Sequence, residues 1–243
     1  MNKIFGYELR RALWNKGFFG LALVTLWYAW QLLNGTIILG VANTAPFSPW
    51  SFGAYVARLL PLLSIMLLFL LWNISAEKTR GLELLANATP MKPGAYLLIK
   101  CAAAVAAWLL LALLAVLLGL GFLGTLFGAA VDCGSLLPPI ALTLAPPLLF
   151  FLGLGLLAGR VRPWLLFILM AAALGAGYLP LSPAADLYGA SLFMDYPLSL
   201  GVLDPTFSVP PAVIVGKIVY LTIGVILLAL ALTRQRSYSQ QGC

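Results

Sequence analysis

The sequence predicts an all-α polytopic membrane protein of six transmembrane helices, and three observations carry that prediction. Of 243 residues, 63% are hydrophobic and 9% charged, whereas soluble chains average about 25% charged. A soluble fold of this size would lack the polar side chains to cover its own surface. Six apolar runs each approach the roughly 20 residues that cross a hydrocarbon core of about 30 Å. The basic residues, finally, are confined to alternate connections between those runs, as expected of loops held on the cytoplasmic side.

Residues 3–16 come first. On a helix, Phe5, Leu9, Ala12 and Leu13 share one face and Lys3, Tyr7, Arg10, Arg11 and Trp14 the other. The pattern predicts an interfacial helix lying on the anionic leaflet, with Lys3, Arg10, Arg11 and Trp14 facing headgroups; a basic flank to the first span is the plainer alternative. Spans are then expected at about 17–41, 54–74, 97–126, 136–158, 164–179 and 213–233. The first apolar run is too long for a signal peptide and is followed by five more. The fifth is the shortest. Pro146 and Pro147, in the middle of the fourth, predict a kink, read as a gate or as packing.

Of the fourteen Lys and Arg, all but Arg58 and Lys217 lie before span one, between spans two and three or, for Lys100, at the entry of span three, between four and five, or after six. The opposite connections hold only Asp132, Asp186, Asp195 and Asp204 among charged residues. Both termini are therefore expected in the cytoplasm, and the net charge of +7 reports topology rather than nucleic-acid binding.

The cytoplasmic connection 75–96 is organised. Ser75 can cap a helix whose first turn holds Glu77, and Leu82, Leu84 and Leu85 supply apolar contacts before Pro90 and Pro93. That composition suits docking better than tethering. The outer connection 180–212 is too apolar for a free loop. Ser182-Pro183 reads as a helix start, with a short helix over 184–194, and the segment is expected at the outer interface or dipping back into the bundle as a re-entrant stretch.

Several chemistries lose their usual ligands. The chain has no histidine, and its three cysteines, Cys101, Cys133 and Cys243, lie far apart, so zinc sites, Ser–His or Cys–His pairs, haem ligation and a disulfide framework are not expected. No metal site or catalytic residue is assigned. Gly119-x-Gly121-x-x-Gly124 copies a dinucleotide fingerprint but sits within an apolar run with no strand before it. Gly124-x-x-x-Gly128 and Gly155-x-x-x-Gly159 read instead as close helix contacts. The sequons at Asn73 and Asn87 fall on the cytoplasmic side and should stay unmodified.

The run Glu77-Lys78-Thr79-Arg80-Gly81-Leu82-Glu83-Leu84-Leu85, followed by Pro90 and by Leu97-Leu98-Ile99-Lys100 entering a span, resembles the loop of ABC-2 type transporter permeases. The likeness extends to the architecture of an amphipathic N-terminal helix, six spans and a long outer connection before the last. The resemblance implies that 75–96 is a cytoplasmic coupling loop carrying a coupling helix. Glu77, Lys78, Arg80, Gly81, Leu82, Glu83, Leu84 and Leu85 would then meet an ATP-binding cassette ATPase subunit, two copies of which would serve two permeases, identical or similar. ATP and magnesium would be bound by that partner; this chain holds no G-x-x-x-x-G-K-[ST] and is not expected to be an enzyme. The resemblance also implies export across a bacterial cytoplasmic (inner) membrane, and the apolar bundle favours a lipid, peptide or drug-like cargo.

Two other functions compete. A membrane-embedded enzyme acting on lipids would need clustered acids, but Glu8, Glu77 and Glu83 are not spaced as a metal site. A non-transporting assembly or sensor subunit is the other. Arg58 and Lys217, each expected about one turn inside the outer end of its span, either snorkel outward, with Asp204 or Asp195 as partner, or face a translocation path and attract an anionic group.

Overall fold

The structure is a computed structural model that describes residues 2–75, 93–128 and 131–240. Every regular element among the described residues is helical: α1 (Asn2–Leu13), α2 (Lys16–Leu32) continued by a π-helical turn (Leu33–Ile37), α3 (Pro49–Ser75), α4 (Pro93–Phe127), α5 (Cys133–Val161), α6 (Leu165–Ala176), α7 (Ala190–Ser199) and α8 (Pro211–Gln240). Four of them, α3, α4, α5 and α8, are long and apolar enough to cross a membrane.

Local chemistry sets the boundaries. Asn15 separates α1 from α2 by holding an extended backbone while its side-chain oxygen accepts from Gly17 N at 2.9 Å. The π turn follows where Asn34 Nδ2 and Thr36 Oγ1 bond back to the Trp30 and Leu32 carbonyls, competing with the regular ladder. Helix α3 starts at Pro49, not at 54 as expected from hydropathy. Ser48 Oγ accepts from Ser51 N at 3.2 Å, and proline suits the first helical position because it has no N–H to leave unpaired. Asp132 caps α5 through Gly134 N in the same way. That helix runs unbroken through Pro138, Pro139, Pro146 and Pro147.

Directions alternate along the chain. Gly17 of α2 packs on Phe69 of α3. Tyr55 and Trp108 donate to Ala115 O at 2.7 Å and Leu63 O at 2.8 Å, so α3 and α4 are antiparallel. Helix α5 runs parallel to α3, with Gly155 against Leu68 and Leu71 and Gly159 against Ser75. It is also parallel to α8, with Gly153 on Gly224 and the Arg160 guanidinium donating to Ala231 O. Helix α6 opposes α3, with Phe167 near Trp72 and Gly177 on Pro61. The beginnings of α2, α4 and α6 and the ends of α3, α5 and α8 therefore gather at one end of the bundle. Around α3 the core is nearly closed: Trp50, Phe52, Tyr55, Leu60 and Leu71 show no exposure.

Two glycine expectations separate here. The Gly155/Gly159 pair is a close helix contact as expected. Among the described residues Gly124 and Gly128 meet no such neighbour: a Cβ on either would find nothing within 4 Å, and Gly128 ends α4 with φ +56°.

The fifth apolar run is also shorter than expected. Twelve residues of α6 span only about 18 Å, because the chain turns at Gly177 and then meets Pro180, which disfavours helix in the residue before it. The short helix expected at 184–194 is displaced to Ala190–Ser199. Asp186 explains the shift: its carboxylate accepts from Tyr188 N, Ser191 N and Ser191 Oγ, all at 2.9 Å, which folds 186–189 into a turn and caps the helix that follows Gly189, φ +84°.

Candidate functional site

A cavity of 960 Å3 lies in the half of the bundle away from α1. Its walls come from α2 (Trp27, Tyr28), α3 (Arg58, Pro61), the end of α6 and the connection that follows it (Tyr178, Tyr188). Trp27, Tyr178 and Leu179 are exposed at its mouth. Apolar and aromatic side chains make up most of the lining, with Ser182, Asp186, Ser191 and Asp195 among its polar members, and Arg58 is its one cation among the described residues.

Arg58 is half-buried. Because α3 begins at Pro49, it stands nine residues into the helix, about 13 Å from its start. Its one hydrogen bond among the described residues is from Nη2 to the Met194 thioether at 3.6 Å, a weak acceptor. The two acids in the lining are otherwise placed. Asp186 is buried and already accepts three hydrogen bonds, whereas Asp195 is exposed.

Lys217 does not join Arg58. It is 4% exposed and absent from the cavity lining, and its ammonium donates to Asp186 O at 3.1 Å and Leu187 O at 2.8 Å. Neither acid expected for it, Asp204 or Asp195, is its hydrogen-bond partner; Asp204 accepts from Ala45 N at 3.2 Å instead. The face of α8 around Lys217 is shaped to hold irregular backbone. Gly216 admits the Ala184 carbonyl where any Cβ would collide with it, and Tyr220 donates to Ala185 O at 2.6 Å. The connection between α6 and α8 thus folds against the bundle, with Asp186, Leu187 and Tyr188 buried. Tyr188 donates to Ala173 O at 2.8 Å, and burial pushes its phenol up to about 12, with a Ser64 hydroxyl opposing the shift and the Asp186 charge adding to it.

At the other end, α1 presents the faces its sequence predicts. Phe5, Leu9, Ala12 and Leu13 are half-buried, and Lys3, Tyr7, Arg10, Arg11 and Trp14 are exposed, with the Arg10 guanidinium 5.8 Å from the Trp14 ring centre. Glu8 accepts from Tyr96 at the start of α4 at 3.1 Å, and Lys100, also on α4, lies buried with its ammonium 4.4 Å over the Tyr96 ring. Glu8, Arg11, Asn15, Asn73 and Lys100 line one small cavity there, so α1, the end of α3 and the start of α4 meet. The expected coupling residues Glu77, Lys78, Arg80, Gly81, Leu82, Glu83, Leu84 and Leu85 lie outside the described residues.

Sequence reasoning missed Trp50, whose Nε1 donates to Pro205 O at 2.8 Å and whose ring packs on Phe193, Tyr196 and Phe207. It also missed Asp186 as the organiser of the outer turn. The Asp-x-x-Gly spacing before Ser191 was a signal for a capped turn; nothing marked Trp50's partner. Comparison of the chain with family models, curated proteins and solved structures gives no match.

Proposed function

We propose that the chain is the membrane-spanning permease subunit of an ATP-binding cassette transporter. In this reading α2 with its π turn and α6 are the first and fifth of six spans, both termini are cytoplasmic, and the membrane is a bacterial inner membrane. The partners are two copies of a separate ATPase and a second permease, identical or similar. ATP-driven closure of the ATPases pushes on residues 75–96, tilts the bundle and exposes a path for an apolar or amphipathic cargo alternately to the two sides.

The observation that carries the reading is the alternation of helix direction. It gathers at one end of the bundle α1, the ends of the helices that flank residues 76–92, and every Lys and Arg of the described residues except Arg58 and Lys217. A basic end bearing an amphipathic helix beside the one sizeable loop is the surface that a peripheral motor would grip.

The test is capture of the native ATPase by the tagged chain, followed by Glu83→Lys, which would reverse a docking charge, and Gly81→Pro, which would break a coupling helix at that position. Both variants are expected to insert normally and to lose complex assembly or transport-linked ATP hydrolysis. Normal assembly and turnover in both would refute the docking role.

A further inference from the structure

We infer that the 960 Å3 cavity between α2, α3, α6 and the 177–195 connection is a binding site for an anionic amphiphile, a molecule with one carboxylate or phosphate head on an apolar body, held by Arg58. Three observations converge on that chemistry. A guanidinium about 13 Å from the end of a long apolar helix sits where a charge is costly unless it is paired or meets water. Among the described residues Arg58 takes no ion pair, and its thioether contact does not satisfy a group with five N–H donors. The acids of the lining are engaged elsewhere or turned to the surface: the Asp186 carboxylate accepts from Tyr188 N and from Ser191 N and Oγ, and Asp195 is exposed.

The rest of the wall is suited to an apolar body. Trp27, Tyr28, Pro61, Leu62 and Tyr178 surround the space, and its volume lies at the upper end of the roughly 300–1,000 Å3 of small-molecule sites. A guanidinium fork binds a planar carboxylate or a phosphate through two parallel bonds, which a thioether cannot offer. The mouth beside the exposed Trp27 and Tyr178 opens on the surface of the bundle, so an amphiphile could enter from lipid, head inward to Arg58. The inference deepens the permease reading by naming a ligand class, but it is measured on the isolated chain without any ATPase. Failure of ATPase capture would leave it standing, and its own failure would leave the docking reading untouched.

The experiment uses the full chain in nanodiscs of phosphatidylcholine and radiolabelled oleate as probe, with oleyl alcohol as the neutral analogue. Wild type is expected to bind oleate at least about tenfold more tightly than the alcohol, in keeping with a hydrogen bond to a charged group. Arg58→Gln should weaken oleate binding about tenfold or more and leave the alcohol unchanged, Arg58→Lys should keep the preference for the acid with an affinity between those of wild type and Arg58→Gln, and Arg162→Gln, at an exposed cation, should change nothing. Adding phosphatidylglycerol to the nanodiscs separates the two sources of such a head. Displacement of oleate in proportion to the phospholipid added identifies a membrane lipid as occupant, and no displacement identifies a free amphiphilic acid. Equal binding of acid and alcohol to wild type, or unchanged oleate binding in Arg58→Gln with the chain folded by its melting profile, would overturn the assignment.

Discussion

Replacing Lys217 with methionine tests how the outer connection is held. The ammonium donates to two backbone carbonyls, those of Asp186 and Leu187, in the turn that α8 supports. Each hydrogen bond to a charged donor contributes about 1.5–3 kcal/mol, so about 3–6 kcal/mol of interaction is removed. Part returns, because methionine spares the cost of keeping an ammonium 4% exposed. A net loss of about 1–3 kcal/mol should fall on this segment, which is about 5- to 150-fold in its local opening equilibrium. Leu187, buried beneath the turn, is the reporter: with the native cysteines replaced by alanine, Leu187→Cys should react slowly with a thiol reagent, and adding Lys217→Met should raise the rate by that factor. Gly189→Ala, which puts a side chain at φ +84° beside the same ammonium, should raise it less, by about 1–2 kcal/mol of backbone strain. A labelling rate unchanged within twofold in Lys217→Met would refute the view that the ammonium holds the turn.

Other outcomes follow from packing and topology. A Cβ at Gly224 would lie 2.6 Å from Leu149 C and 2.8 Å from Phe150 N, backbone that cannot rotate away, so Gly224→Leu should force α5 and α8 apart and lower stability by about 1–3 kcal/mol in thermal melting, more if the helices cannot adjust. Gly121→Leu, with nothing within 4 Å, is the matched control and should melt like wild type. Cys133, exposed at the start of α5, should react with an impermeant thiol reagent from outside intact cells; labelling only after the cytoplasm is opened would overturn the orientation.

Read along the chain, the sequence alone determined what depends on neighbours within a few turns. The apolar runs identify lipid as the solvent, and the apolar stretches of α3, α4, α5 and α8, 49–75, 96–127, 133–161 and 211–233, lie close to the expected spans. The two faces of α1 are as its 3.6-residue period requires. Boundaries moved where a local hydrogen bond outweighed hydropathy, as at Ser48 and Asp186, and where a turn at Gly177 ahead of Pro180 ended α6 early. The candidate site was legible to the extent that Arg58 and Lys217 break the charge pattern. Their different fates were not, because a lone charge in an apolar run says nothing of what faces it.

Tertiary structure decided which faces meet. In lipid every face of a spanning helix is apolar, so hydrophobicity does not rank the pairings; close approach of small residues and the satisfaction of buried polar atoms do. Gly155 and Gly159 found α3, whereas Gly124 and Gly128, with the same spacing, found no neighbour among the described residues, and Gly153 met Gly224 with no motif to announce it. Lys217 was drawn to carbonyls that exist as free acceptors only because Asp186 turns the chain there. Arg58, on a helix that began earlier than its hydropathy suggested, was left facing a cavity whose other walls come from α2, α6 and the outer connection, segments that only the fold brings to its side.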